Sequence, residues 1–358
     1  MSIILSRQNI YDLGFDELVR QIEDWRQPRY RAMQIWQGLY HQLLDHPSQF
    51  TSLPIEIRNR LAADYKIGHL TPGVILVSED QETRKTLFWL PDGQAIEAVL
   101  MRYSQRRTLC VSTQAGCGMG CVFCATGQMG FRRHLTSGEI IEQVLFYARQ
   151  LRTSEEQVTN IVIMGMGEPF HNYDATLQAI DRLNHPEGFN FGARRFTIST
   201  VGLVPMINRF ANENRQVNLA ISLHAADDEL RSSMLPVNNK YPINILLQSC
   251  LDYVDKTHRR ISFEWALIKD LNDTPEQASH LAHLLQPFRR GSVALCHVNV
   301  IPLNPTVGYA GEATTQQRAR SFQAILKEHG IPCTIRLRRG IDIQAGCGQL
   351  AIRKKDHH

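Results

Sequence analysis

Hydrophobic and polar positions change their period twice along this chain, and the changes mark three segments. Through residues 1–70 apolar positions recur at helical spacing. FDELVRQIEDW, YRAMQIWQGLYHQLL and SLPIEIRNRLAADY predict three helices, and RQPRY around Pro28 is a turn between the first two. Residues 71–105 read differently. GVILVSED, KTLFWLP and AIEAVLMRY have strand character, and PDGQ between the last two signals a hairpin. From residue 106 onward short apolar strands alternate with amphipathic helices. The strands are CVST, NIVIMG, RFTIST, VNLAISLH, ISFEWALI and HVNVIPL. The helices are SGEIIEQVLFYARQL, YDATLQAIDRL, VPMINRFAN, INILLQSCLDYV, TPEQASHLAHLL and QQRARSFQAILKEHG. Such alternation predicts a parallel sheet wound with helices.

Six strand–helix units fall short of the eight of a complete barrel. The expected fold class is therefore α/β: a partial (β/α)6 barrel over 106–350. A small helical domain (1–70) and a β-hairpin extension (71–105) precede it, and a basic tail (351–358) follows. In the helical domain Arg29, Tyr30, Arg31, Trp36 and Tyr40 could face RNA, and a packed bundle explains the aromatics equally well.

Composition adds bounds. The chain has 358 residues, 43% of them hydrophobic, ordinary for a globular protein. No apolar run approaches a membrane span, and MSIILSRQNIYDLGF lacks the basic start of a signal peptide. Eight cysteines without a secretion signal suggest a cytoplasmic protein, expected to be monomeric. The net charge of +4 says little, but its distribution says more. Arg pairs stand at 106–107, 132–133, 194–195, 259–260, 289–290 and 338–339, and Arg353, Lys354 and Lys355 cluster near the C-terminus. Guanidinium pairs suit bidentate phosphate contact, so a nucleic-acid partner is expected. For any single pair, a solvated helix end is the simpler account.

The densest chemistry lies in AGCGMGCVFCATG. Cys117, Cys121 and Cys124 have the spacing Cys-x3-Cys-x2-Cys. Three thiolates on one loop can hold three corners of a [4Fe-4S] cluster and leave the fourth iron open for a small molecule and one-electron chemistry. Structural zinc wants four closed ligands, usually two knuckle pairs, and only His134 follows closely. Other polar groups fall at predicted strand ends, where such folds place their sites: Gly167 and Glu168 in MGMGEP, Ser199-Thr200, Ser222-Leu223-His224 and Asn304-Pro305. Glu168 can accept from an ammonium or hydroxyl. Cys110 precedes the triad by seven residues. Cys347 lies in IQAGCGQL, where flanking glycines predict a mobile segment with an accessible, nucleophilic thiol. Cys250, Cys296 and Cys333 sit in apolar patterns and are expected in the core.

CVSTQAGC, FCATG, GMGEP, ISLH and the C-terminal CGQL together resemble the radical-SAM adenosine methyltransferases of RNA, the RlmN and Cfr enzymes, from about Tyr30 to Leu350. The resemblance implies that Cys117, Cys121 and Cys124 ligate the cluster and that S-adenosylmethionine (SAM), two molecules per turnover, chelates the open iron. Gly167, Glu168, Ser199, Ser222, Leu223, His224 and Asn304 would hold the rest of SAM. Cys347 would carry the methyl group, Cys110 would be its partner thiol in a transient disulfide, and Glu97 would be the proton acceptor. Gly346 departs from the family, which usually has Ala there. The implied partners are 23S rRNA, tRNA and an electron-donating reductase. Carbon 2 of adenosine is the expected target, with the carbon-8 enzymes of antibiotic resistance as runner-up. Outside the family stand a glycyl-radical activase and a zinc-stabilised RNA-binding protein.

Overall fold

The computed structural model describes residues 7–351; the basic cluster Arg353, Lys354 and Lys355 lies outside the described residues. The N-terminal segment forms α1 (Phe15–Asp24), α2 (Tyr30–Tyr40) and α3 (Ile55–Asp64). Trp36 and Tyr40 are buried, whereas Tyr30 is 56% exposed. The two buried aromatics therefore serve packing, against Phe15, Tyr11 and His185, and offer no face to RNA. Tyr30 stays at the surface under the Arg31 guanidinium, 4.8 Å from its ring centre.

The next three runs are strands, β1 (Thr71–Val77), β2 (Thr83–Trp89) and β3 (Ala95–Arg102). The hairpin turn at Leu90–Gln94 has Gly93 at φ 79°, a left-handed conformation that suits glycine. The three strands are antiparallel and continue the main sheet instead of standing apart from it. Through β3 they join β4 (Arg107–Cys110), which starts the parallel part.

After β4 the chain makes a small hairpin, β5 (Gln114–Gly116) with β6 (Phe131–His134), that encloses the cysteine loop. The alternation then runs α4 (Ser137–Arg152), β7 (Asn160–Ile163), α5 (Tyr173–Asn184), β8 (Phe196–Thr200), α6 (Val204–Asn212) and β9 (Asn218–Ser222). It continues through α7 (Ile243–Thr257), β10 (Ile261–Leu267), α8 (Pro275–Leu284), β11 (Cys296–Pro302), α9 (Gln316–Glu328) and β12 (Cys333–Ile335). The sheet order is β12-β11-β10-β9-β8-β7-β4-β3-β2-β1. From β4 to β12 every pairing is parallel. The six expected units are present, and β12 is a seventh parallel strand. The sheet stays open, with β12 and β1 as its edges.

Inward residues such as Ile161, Ile198, Leu219 and Phe263 are fully or almost fully buried. Cys250, Cys296 and Cys333 are buried as well. Helix α4 shows why it forms where it does. Thr136 caps it by accepting the Glu139 N–H at 3.2 Å, and Glu139 returns the bond to the Thr136 N–H at 2.9 Å. No helix among the described residues is long and apolar enough to cross a membrane.

Candidate active site

At the C-terminal ends of the parallel strands lies a half-open cavity. Cys117, Cys121 and Cys124 form one wall. Gly167, Glu168, Ser199, Ser222, His224 and Asn304 contribute from the strand ends, and Cys347 and Gly348 close the C-terminal side. Leu223 does not line it. Its side chain is fully buried in the core, and only its backbone serves the region. Cys110 and Glu97 lie behind the lining. They share one face of the sheet, because Val99 pairs with Cys110 and Glu97 precedes Val99 by two residues.

The cavity's residues are held from below. Gly167 has φ 100°, and a Cβ there would come within 2.5 Å of the Gln114 side chain. Glycine is thus required for the strand end to lie on β5. Gln114 in turn accepts the Glu168 N–H at 2.8 Å. The Glu168 carboxylate is buried and receives the N–H groups of Phe170 and Val201, each at 2.9 Å. Burial pushes its carboxyl up to about 7, against the pull of those donors. Its oxygens are thereby spent on fixing the strand ends, as well as facing the cavity.

His224 adopts φ 62°. Its Nδ1 accepts the Ala266 N–H at 2.9 Å, so the neutral ring carries its proton on Nε2. Burial, reinforced by Arg231, depresses its pKa to about 3. Arg231 is a residue the sequence did not single out. Fully buried, it donates to the carbonyls of Leu223 at 3.1 Å, Val201 at 2.8 Å and Ser222 at 3.2 Å, tying the ends of β8 and β9 together. Its segment, DELRSSM, reads as an exposed short helix, and nothing local signals the burial.

The three loop cysteines fit an Fe–S cluster. All three thiols face one cavity. Burial pushes Cys117 up to about 12 and Cys121 well above its ordinary value, and a charge on one raises its neighbours. Such thiols become thiolates only beside a strongly electropositive centre, and iron supplies one. Among the described residues no group of three or more His, Cys, Asp or Glu side chains is placed to hold a single metal ion. Fit to SAM is marked by acceptors left without partners on the cavity wall: Asn304 Oδ1 and Glu264 Oε2 are buried and unpaired.

The Cys347 segment is accessible, as expected, but it is tied down. Its carbonyl accepts from Asn304 Nδ2 at 3.0 Å, Ala125 N–H bonds to the Gly348 carbonyl at 2.8 Å, and Thr126 Oγ1 donates to the Leu350 carbonyl at 2.6 Å. Gly346 explains the close fit, since a Cβ there would come within 2.6 Å of Asn304 Nδ2. Cys347 as a whole residue is exposed. The surrounding walls still raise its pKa, which Arg336 partly offsets. Cys110 is raised to about 12, chiefly by burial and next by a charge on Cys347, so the two sulfurs are electrostatic neighbours. Glu97 reaches the same segment from behind. Its Oε1 pairs with Lys85 Nζ at 2.7 Å, its Oε2 accepts the Ala351 N–H at 2.9 Å, and Lys85 also donates to the Gln344 carbonyl at 3.3 Å. Lys85 was not legible in the sequence, where KTLFW reads as a strand with an ordinary surface lysine.

Residues 111–278 match the model of the Radical SAM superfamily. A probable dual-specificity RNA methyltransferase RlmN of Chloroflexus aurantiacus is 48% identical, over 99% of this chain and 95% of that protein. This chain belongs to the RlmN family of radical SAM methyltransferases. The dual-specificity RNA methyltransferase RlmN 1 of Myxococcus xanthus is 47% identical over 96% of the chain and 94% of its own length. A crystal structure of a radical SAM methyltransferase from Sphaerobacter thermophilus superposes with a TM-score of 0.92 at 49% identity, covering 96% of this chain and 99% of that one. RlmN membership makes the [4Fe-4S] cluster and SAM the cofactors of this fold, and the open partial barrel is the architecture expected of it.

Proposed function

We propose that this RlmN-family enzyme methylates carbon 2 of adenosine in 23S rRNA and tRNA, in the cytoplasm, with electrons from a reductase. The observation that carries the reading is Cys347: an exposed residue that lines the same cavity as the cysteine loop and whose charge raises the buried thiol of Cys110. The names of the relatives support RNA as the substrate. Carbon 2 of adenine is electron-poor, so an ordinary displacement on SAM does not methylate it.

Cys117, Cys121 and Cys124 would hold the cluster and the strand-end residues would hold SAM, and together they would supply an electrophilic methyl group and, with a second SAM, one-electron chemistry able to remove hydrogen from it. Cys347 Sγ accepts the methyl and presents it to the adenine. Asn304 and Ala125 hold its loop at the cavity. Glu97, kept beside that loop by Lys85, accepts the proton that leaves the ring carbon. Once the carbon carried by Cys347 has bonded to the ring and the adduct has given its odd electron back to the electron-transfer site, Cys110 Sγ, as thiolate, attacks Cys347 Sγ: the S–S bond forms, the bond from Cys347 Sγ to the transferred carbon breaks, and that carbon takes up a proton to become the methyl group of the released base. The exposed ring of Tyr30 and arginines such as Arg132 contact phosphate and bases. Several other members of the Arg pairs are committed within the protein: Arg107 to Glu156, Arg133 to Asp92 and Glu139, and Arg290 to Asp255.

The cysteines have unequal predicted fates. Cys347→Ala loses methylation and forms no adduct. Cys110→Ala accumulates a covalent protein–RNA adduct through Cys347, seen as a slow band on denaturing gels. Normal turnover by Cys110→Ala sinks the resolving role. Mass spectrometry of digested RNA from a strain lacking the gene identifies the nucleoside: loss of 2-methyladenosine supports carbon 2, and loss of the 8-methyl isomer refutes it.

A further inference from the structure

Two histidines meet over the hairpin that encloses the cysteine loop. His134 ends β6, and His171 lies in the turn between β7 and α5. Their rings stand 4.8 Å apart at 79°, and both residues are exposed. One side chain holds them. Gln114, fully buried on β5, brings its amide nitrogen within 3.0 Å of His134 Nδ1 and 3.1 Å of His171 Nδ1. The other end of that amide settles its orientation, because Gln114 Oε1 accepts the Glu168 N–H at 2.8 Å. The nitrogen is therefore an NH2 group with one hydrogen for each ring. Both Nδ1 atoms accept, so both neutral rings carry their proton on Nε2. A second proton on either ring would set N–H against N–H. Burial, and next the neighbouring His171, lower the His134 pKa in the same sense.

The result is a pair of neutral donors turned away from the buried amide at a fixed spacing. Metal binding would need the Nε2 lone pair and hence a proton on Nδ1, which Gln114 opposes. Phe131 lies beside both rings, 5.0 Å from His134 and 5.5 Å from His171, and is 40% exposed. A bulge accounts for its place. Ala115 pairs with Arg133 and Gly116 with Phe131, so Arg132 is an extra residue that breaks the alternation and lets Phe131 share a side with His134. Arg132 is exposed as well. An exposed ring beside hydrogen-bond donors suits an unpaired nucleotide, whose base needs a face and whose phosphate needs donors. The location suits it too. A Cβ on Gly167 would come within 2.5 Å of the Gln114 side chain, so the residue that holds the pair also backs the cavity wall.

We propose that the Nε2–H groups of His134 and His171 donate to a backbone phosphate of the RNA next to the target adenine, and that the adjoining base stacks on Phe131. The proposal rests on the RNA reading above and deepens it, because the hairpin then holds the strand alongside the arginines.

The test uses cluster-loaded enzyme and labelled in-vitro transcripts of tRNA and of 23S rRNA, with binding followed by fluorescence anisotropy over a range of salt. The double variant His134→Phe, His171→Phe removes both donors and keeps the rings. It is expected to weaken RNA binding at least about tenfold, the usual worth of a hydrogen bond to a charged acceptor. Because the lost donors are neutral, the slope of log affinity against log salt should stay at its wild-type value, whereas Arg132→Gln should flatten it by about 0.7. His134→Gln, His171→Gln, which restores neutral N–H donors, should recover most of the affinity. Binding of S-adenosylhomocysteine should be the same in all of these proteins, and inorganic phosphate at matched ionic strength should not displace the RNA. Unchanged RNA affinity in the Phe double variant, or a flattened salt slope there, overturns the proposal. Loss of S-adenosylhomocysteine binding in step with RNA binding overturns it in favour of a structural pair, and displacement by phosphate overturns it in favour of a free-anion site. A wild type that binds neither transcript overturns the RNA reading with it.

Discussion

At position 224 the backbone sits at φ 62°, a region that costs a residue other than glycine on the order of 1 kcal/mol or more. The compensation is visible: His224 Nδ1 accepts the Ala266 N–H, and Asn272 Nδ2 donates to the His224 carbonyl at 2.8 Å. Because its native pKa of about 3 lies below the ordinary histidine value, its contribution to stability is present above about pH 6.5 and is lost as pH falls towards 3. The stability of wild type relative to His224→Asn should therefore shrink steadily over that window in urea melts; a difference independent of pH would refute it. Sequence made the site residues legible where chemistry is carried by rare patterns, as with Cys117, Cys121, Cys124 and Glu168. It left out Arg231, Lys85 and Glu264, because a charged residue becomes buried only through partners distant in the chain. Glu264 sits in ISFEWAL, whose alternation assigns a strand but not what faces the other oxygen.

The C-terminal loop is an element whose behaviour the sequence misjudged. Glycines on both sides of Cys347 predicted mobility, but local flexibility is overruled by bonds from Asn304, Ala125, Thr126 and the Lys85–Glu97 pair. Removing Lys85 leaves the buried Glu97 charge without its cation, a change of about 3–5 kcal/mol in comparable buried pairs. Lys85→Met should speed amide exchange in residues 344–351 by at least about tenfold and leave β8 unaffected. Protection that survives in 344–351 would show that the loop does not depend on the pair. The six main strands and their helices were legible because each carries a clear period. The hairpin β5–β6 was not, since its glycines and cysteines show no alternation, and β12 was missed because three residues are too few to show one. The antiparallel runs were recognised, but their union with the barrel sheet depends on β3 pairing with β4, a long-range choice.

On the scale of the whole molecule, the open sheet leaves β1 as an edge, with Val74, Ile75, Leu76 and Val77 partly exposed. Pro72 and a register shift between Pro72 and Ile75 break its ladder, the usual means of discouraging strand addition. The N-terminal helices are fixed to the barrel mainly through α4. Asp12 accepts the Gly138 N–H at 2.7 Å, and Glu142 receives Asn9 Nδ2 at 2.5 Å, His69 N–H at 2.6 Å and Leu70 N–H at 2.7 Å. Burial outweighs these donors and raises the Glu142 carboxyl to about 7. A raised native pKa gives stability that is complete below the unfolded value, about 4.5, and is lost as pH climbs through about 7. The full loss amounts to about 3 kcal/mol. Wild type should therefore lose stability between pH 4.5 and 7 relative to Glu142→Gln, which cannot titrate, and the gap should level off above 7. The sign is opposite to that of His224, so each variant isolates one limb of the pH profile. If Glu142→Gln follows wild type in parallel across this range, the Glu142 carboxyl does not titrate there and the pH limb belongs to another group.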